Sequence, residues 1–166
     1  TDLDTIQSAV KQIDDQYGAL DVLINNAGVC LENIPPSQLE LTVLRNTYET
    51  NVFGSFSVTK AMLPLIKKSP AGRIVNLSSG LASLTEYNNP GSDAEKYGAN
   101  LLAYMSSKTA VNALTVLFGK ELKDTPIKIN SADPGYTATD LNGHTGYRTV
   151  EQGASIVVKL ATLPND

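Results

Sequence analysis

A chain of 166 residues, 42% hydrophobic and 18% charged, is long enough for one domain with a real core and ordinary for a globular protein. A net charge of −4 without any basic stripe argues against nucleic acid as a partner. No apolar run approaches the ~20 residues of a membrane span and nothing reads as a signal peptide. The single cysteine, Cys30, suits a reducing cytoplasm and a packing role.

The sequence opens without methionine and runs straight into a helical pattern, Leu3, Ile6, Ala9, Val10 and Ile13, which Asp2 or Asp4 would cap. It reads as beginning between two elements of a larger fold. Tyr17-Gly18 ends the helix. Residues 20–24 are a short apolar run without alternation, the pattern of a strand buried on both faces of a parallel sheet. The run closes in Asn25-Asn26-Ala27-Gly28, small residues that let another group approach the backbone. After a loop over 29–36, a helical stretch is expected over 37–68, with Ser37 as its cap and Glu40 as the capping-box partner. Asn51 and Gly54 weaken that helix, the glycine by up to ~1 kcal/mol, which points to close packing, a kink or a function. Pro64 would tighten or bend its last turns.

Pro70-Ala71-Gly72 turns into a second strand over 73–77, ending in Ser78-Ser79-Gly80. Those hydroxyls lie at the edge where open α/β sheets bind ligands. Residues 81–100 read as loop, either shaping a substrate entrance or running irregularly over the surface, with a turn at 88–92. A helix over 98–123 carries Tyr104 and Lys108, four apart and therefore on one face. Of seven tyrosines, only this one has a lysine at that offset. A free phenol ionises near ~10, and an ammonium close by should pull that value toward working range for proton transfer. The plain alternative is a half-buried tyrosine beside a solvated lysine. Pro126 stops the helix, and a third strand over 127–132 ends at Asp133-Pro134-Gly135. The loop 135–148 holds Thr137, Thr139 and His144, a lone histidine read as exposed rather than metal-binding. A final helix is expected over 149–162. The alternation of helix and strand predicts a single α/β domain with a parallel sheet and helices on both faces.

Four islands now stand in order: Asn25 to Gly28, Asn51, Ser79 with Tyr104 and Lys108, and Pro134-Gly135. Together they resemble the short-chain dehydrogenase/reductase family, over essentially the whole chain. The resemblance implies a partial Rossmann-like doubly wound sheet with Tyr104 as general acid/base. Lys108 would lower the phenol's pKa and hold the nicotinamide ribose, and Ser79, rather than Ser78, would bond the substrate oxygen. Asn51 would hold the helix backbone and a water relaying protons to Lys108. Asn25, Ala27 and Gly28 would line the cofactor site, and Pro134, Gly135, Thr137 and Thr139 would contact the nicotinamide carboxamide. The implied activity is NAD(P)-dependent interconversion of a carbonyl and an alcohol.

Two departures shape the expectation. Ser79 and Tyr104 are separated by 24 intervening residues, a long gap that resembles carbonyl-reductase-like members and favours NADP(H) over NAD(H). None of the twelve glycines forms a G-x-G-x-x-G, so a first βαβαβ half of ~60 residues is expected upstream, and a last strand downstream. Strand 20–25 would then be an open apolar edge, a template for self-association. The alternative function is a non-catalytic association module that binds no dinucleotide. Sugar-nucleotide epimerases and dehydratases share Tyr-x-x-x-Lys, but Asn25-Asn26-Ala27-Gly28 resembles the reductase branch.

Overall fold

The computed structural model describes residues 1–164. Helix α1 (Leu3–Tyr17) begins at Asp2, whose Oδ1 accepts from the N–H groups of Asp4 and Thr5 at 3.0 and 3.2 Å. It ends at Gly18, left-handed at φ 72° and donating its N–H to the Asp14 carbonyl. Three parallel strands follow in the chain: β1 (Val22–Asn25), β2 (Arg73–Leu77) and β3 (Lys128–Ala132). They lie in that order, with β2 central. The register aligns Leu23, Ile74 and Ile129 in one row and Asn25, Asn76 and Ser131 in another.

Both rows face α3 (Ser55–Ile66) and α5 (Leu102–Glu121). Ile66, Ile74 and Leu122 are sealed there with Met62, Leu65 and Ile127, and α1 adds Ala9, Val10 and Ile13. Each such side chain, fully buried, stabilises by roughly 1.5–3 kcal/mol. On the opposite face α6 (Val150–Ala161) lays Ile156, Val157, Leu160 and Ala161 over Val75, Leu77 and Ala132. The expected α/β sheet with helices on both faces is therefore present.

The polar row is fully connected. Asn25 Nδ2 donates to Thr59 Oγ1 at 2.8 Å and to Asn76 Oδ1 at 2.7 Å, while Asn76 Nδ2 donates to Thr115 Oγ1 at 2.8 Å. Ser131 Oγ donates to the same threonine at 2.9 Å. Buried amides are tolerated when paired this way, and the row pins α3 and α5 across the sheet.

Several expectations are corrected. The helix expected over 37–68 is broken into a 3₁₀ turn (Pro36–Gln38), α2 (Leu41–Tyr48), a π-helical turn (Glu49–Gly54) and α3. Pro35 and Pro36 start the tight turn and Leu39 is extended, so the helix begins after Glu40 and the Ser37–Glu40 capping box does not form. The loop expected over 81–100 contains two 3₁₀ turns and α4 (Asp93–Gly98), capped by Ser92 Oγ, which accepts from the Glu95 N–H at 3.1 Å. β1 is not buried on both faces. It pairs only with β2, and Val22 and Ile24 on one side of it are 37% and 43% exposed. Among the described residues no helix is long and apolar enough to cross a membrane.

Because the strands are parallel, the segments following β1, β2 and β3 all emerge at one edge of the sheet. The residues 26–28, 78–80 and 133–135 gather there.

Candidate active site

Helix α5 buries Ala103, Tyr104, Met105, Ser107, Lys108, Val111 and Thr115, a stripe at helical spacing in which four of seven residues are polar. Tyr104 and Lys108 are 9% and 4% exposed, which excludes the solvated lysine. The Lys108 ammonium sits 5.8 Å from the Tyr104 ring centroid and donates to the Leu77 carbonyl, the last of β2, at 2.7 Å. Ser79 follows two residues later, half-buried, with its side chain near enough to the Tyr104 phenol to favour its ionised form. Ser78 is buried, and its hydroxyl turns away to the Lys108 backbone carbonyl at 3.4 Å. Of the two serines, Ser79 is the one near the phenol.

The electrostatics differ from the expectation that an ammonium lowers the tyrosine. Burial pushes the Tyr104 phenol up to about 12, opposed by the Ser79 side chain and reinforced by the charges of Cys30 and Asp133. Burial pushes Lys108 down to about 8. Cys30 packs against Tyr104, and burial, then Glu32, pushes its thiol up to about 11. It is an inert packing group, not a nucleophile.

Asn51 lies in the π-helical turn, 1% exposed. Its Oδ1 accepts from the Val29 N–H at 2.8 Å, and its Nδ2 donates to the Val29 carbonyl and to Ser107 Oγ, both at 2.9 Å. Ser107 Oγ in turn donates to the Tyr104 carbonyl at 2.7 Å. The backbone that Asn51 holds by its side chain is thus that of the loop after β1, and a serine links it to the tyrosine. A π turn of this kind widens a helix where a side chain must be re-aimed. Gly28 lies beside it: a Cβ there would fall 3.2 Å from Lys108 Nζ and 3.5 Å from Asn51 Oδ1. Only a residue without a side chain leaves the ammonium open on that side.

The remaining expected residues are distributed as follows. Asn25 is buried with its side-chain nitrogen committed to Thr59 and Asn76, a structural role. Ala27 is exposed at the same edge. Asp133 follows β3 and closes on Gly80, where a Cβ would fall 2.9 Å from its Oδ2. Its Oδ1 accepts from the Gly135 N–H at 2.9 Å, setting Pro134-Gly135 in a tight turn with Gly135 left-handed at φ 67°. Thr137 Oγ1 folds back on the Pro134 carbonyl at 3.1 Å, and the Thr139 N–H donates to Asn142 Oδ1 at 3.3 Å. His144 is exposed and pairs within its own loop with Asp140 at 2.8 Å. Among the described residues, no group of three His, Cys, Asp or Glu is placed to hold a metal ion. Sequence reasoning missed Glu32, a buried carboxylate on the Tyr104 N–H; its signal was being the only charge between Asn25 and Leu39.

A family model described as short chain dehydrogenase matches residues 1–149, which contain every residue of this site. The chain belongs to the short-chain dehydrogenase family. A short-chain dehydrogenase of Penicillium roqueforti (strain FM164), anuI, is 36% identical over 161 residues, covering 96% of this chain and 64% of that protein. Carbonyl reductase (NADPH) 1 of Rattus norvegicus is 31% identical over 182 residues, covering 90% of this chain and 65% of that protein. Among solved structures, the carbonyl reductase Sniffer of D. melanogaster matches with a TM-score of 0.83 at 28% identity, over 98% of this chain and 67% of that one. This short-chain dehydrogenase chain spans just under two-thirds of the length of the two curated relatives.

Proposed function

We propose that this short-chain dehydrogenase interconverts a carbonyl and an alcohol with a nicotinamide cofactor, NADP(H) in preference to NAD(H), and that Tyr104 is its general acid/base. The observation that carries the reading is the buried Tyr104–Lys108 pair at the sheet edge, the ammonium 5.8 Å from the ring centroid, with Ser79 beside the phenol. The NADPH preference rests on similarity to proteins named as NADPH carbonyl reductases.

The residues present fit the nicotinamide-ribose end of such a cofactor. Lys108 Nζ has one hydrogen bond, to Leu77, and Gly28 leaves the space beside it that a Cβ would fill. Lys108 would hold ribose hydroxyls, Ala27 and Gly28 would wall the site, and Pro134, Gly135, Thr137 and Thr139 would face the carboxamide. When bound, the cofactor supplies or accepts the hydride at the substrate carbon. Ser79 and Tyr104 hold the substrate oxygen from two directions. In reduction the phenol O–H breaks and its proton moves to that oxygen; Ser79 and the Lys108 ammonium stabilise the charge left on Tyr104. At neutral pH the buried phenol is fully protonated, the state a proton donor needs.

The test is Tyr104→Phe in the full-length protein, with NADPH binding followed by fluorescence. Turnover of a model aldehyde should fall by about a thousandfold or more, within the range lost with an acid/base group, while NADPH still binds. Full activity in the variant would refute the assignment.

A second reading, a non-catalytic association module, is favoured by the open edge of β1, whose Ile24 is 43% exposed. That edge would pair with a second copy or another strand. Residues 1–166 that fold, self-associate and bind neither NADPH nor NADH would favour it for this chain.

A further inference from the structure

Glu32 lies in the loop between β1 and α2, 8% exposed, yet no charged side chain pairs with it among the described residues. Its Oε1 accepts from the backbone N–H of Tyr104 at 2.7 Å, and its buried Oε2 has no hydrogen-bond partner. Helix α5 starts at Leu102 and is preceded by Leu101, which offers no side-chain acceptor. The Tyr104 N–H is the third of the helix, an amide that a serine or aspartate at the cap ordinarily takes. Here a carboxylate 72 residues away takes it, where the positive end of the helix dipole favours an anion. A local cap would stabilise the helix equally well. A distant one also fixes the loop.

The loop is tied to the same tyrosine at two further points. The Ile34 N–H donates to the Asn100 carbonyl at 3.1 Å, at the entrance of α5. Val29 is held by Asn51, which holds Ser107, which donates to the Tyr104 carbonyl. Both backbone groups of Tyr104 therefore answer to the 29–34 loop, the N–H directly and the carbonyl through Ser107 and Asn51.

We infer that Glu32 is a positioning residue: by capping α5 at Tyr104 itself, it sets how the phenol meets Ser79 and couples that geometry to the 29–34 loop. This rests on the reading of Tyr104 as the acid/base. Misplacement of a reacting group by a fraction of an ångström to 1 Å lowers rate steeply, without removing contacts to cofactor or substrate.

The experiment compares Glu32→Ala, Glu32→Gln and Tyr104→Phe in the full-length protein, reading kcat and KM for a model aldehyde, NADPH affinity by fluorescence, and Tm. Glu32→Ala is expected to lower kcat between about 10-fold and 100-fold, with KM and NADPH affinity within about twofold. Glu32→Gln keeps the accepting oxygen and should retain kcat within about threefold. An unchanged kcat in Glu32→Ala, or a loss shared equally by kcat and NADPH affinity, overturns the inference. Should Glu32→Ala fail to fold, Glu32→Gln decides: near-full kcat supports the role, and a loss beyond about tenfold at unchanged Tm overturns it. The two claims fail separately. An active Tyr104→Phe removes the acid assignment, whereas an inactive Tyr104→Phe beside a fully active Glu32→Ala removes only the positioning role.

Discussion

Replacing Asn51 by alanine removes three hydrogen bonds at once, to the Val29 N–H, the Val29 carbonyl and Ser107 Oγ. Each such bond contributes about 1 kcal/mol net, and each partner left buried and unpaired costs about 1–3 kcal/mol. Ser107 keeps its bond to the Tyr104 carbonyl, and Val29 is half-buried, so water relieves part of that penalty. The expected loss is about 3 kcal/mol, a large share of the 5–15 kcal/mol that holds a typical domain folded. Urea unfolding followed by circular dichroism measures it, with Asn33→Ala in the exposed part of the same loop expected within about 0.5 kcal/mol of the parent. Asn51→Asp should be no better than alanine. It keeps an acceptor for the Val29 N–H but sets a charge against the Val29 carbonyl. A loss below about 1 kcal/mol in Asn51→Ala would refute the view that this side chain fastens the loop to α5.

Gly28→Ala introduces a methyl 3.2 Å from Lys108 Nζ and should destabilise by about 1 kcal/mol, read in the same unfolding experiment; a neutral result would mean the ammonium moves freely. Because Lys108 is lowered from 10.5 to about 8, the unfolded chain binds a proton there that the folded one lacks, so stability should rise with pH across that window. The rise is worth up to about 3 kcal/mol, and Lys108→Met should flatten it. Tyr104, raised from 10.0 to about 12, acts oppositely: the folded state keeps its proton longer, so stability falls from pH 10 to 12. Under the proposed mechanism Lys108→Met also lowers kcat by about a hundredfold, and a rate within about threefold of the parent would exclude the ammonium from proton transfer.

The strands and the Tyr104–Lys108 pair were legible because they rest on local signals. An apolar run between turn residues marks β2, and a four-residue offset places two side chains on one face of α5 whatever the rest of the chain does. What stayed hidden depends on long-range contacts. Asn51 looked misplaced in a helix, but its partners lie 22 and 56 residues away, and the π turn that aims it at them has no local signature. Glu32 caps a helix from 72 residues away, so no capping pattern precedes Leu102. Helix α4 spans six residues, too few for a 3.6-residue period to show. β1 has the composition of an enclosed strand, while its exposure follows from having a neighbour on one side only. The direction of the Tyr104 shift was also beyond the sequence, since spacing reports the nearness of a lysine but not how deeply both groups are buried.

That last difference bears on mechanism. Lys108 gives up its proton at about 8 and Tyr104 only at about 12, so in a titration the ammonium is gone before the phenolate forms. Lysine therefore cannot lower the pH at which the free tyrosine ionises. In the proposed proton transfer to a substrate at neutral pH the phenolate would appear while Lys108 is still charged. In that state the two opposite charges attract, which favours the phenolate. Burial, which raises the phenol, opposes that attraction. Under the proposed mechanism the same burial would keep Tyr104 protonated before transfer, and the neighbouring charge would act when the proton leaves. Such a pair suits donation to a carbonyl better than abstraction from an alcohol near pH 7, and the preference should weaken as Lys108 deprotonates above about 8.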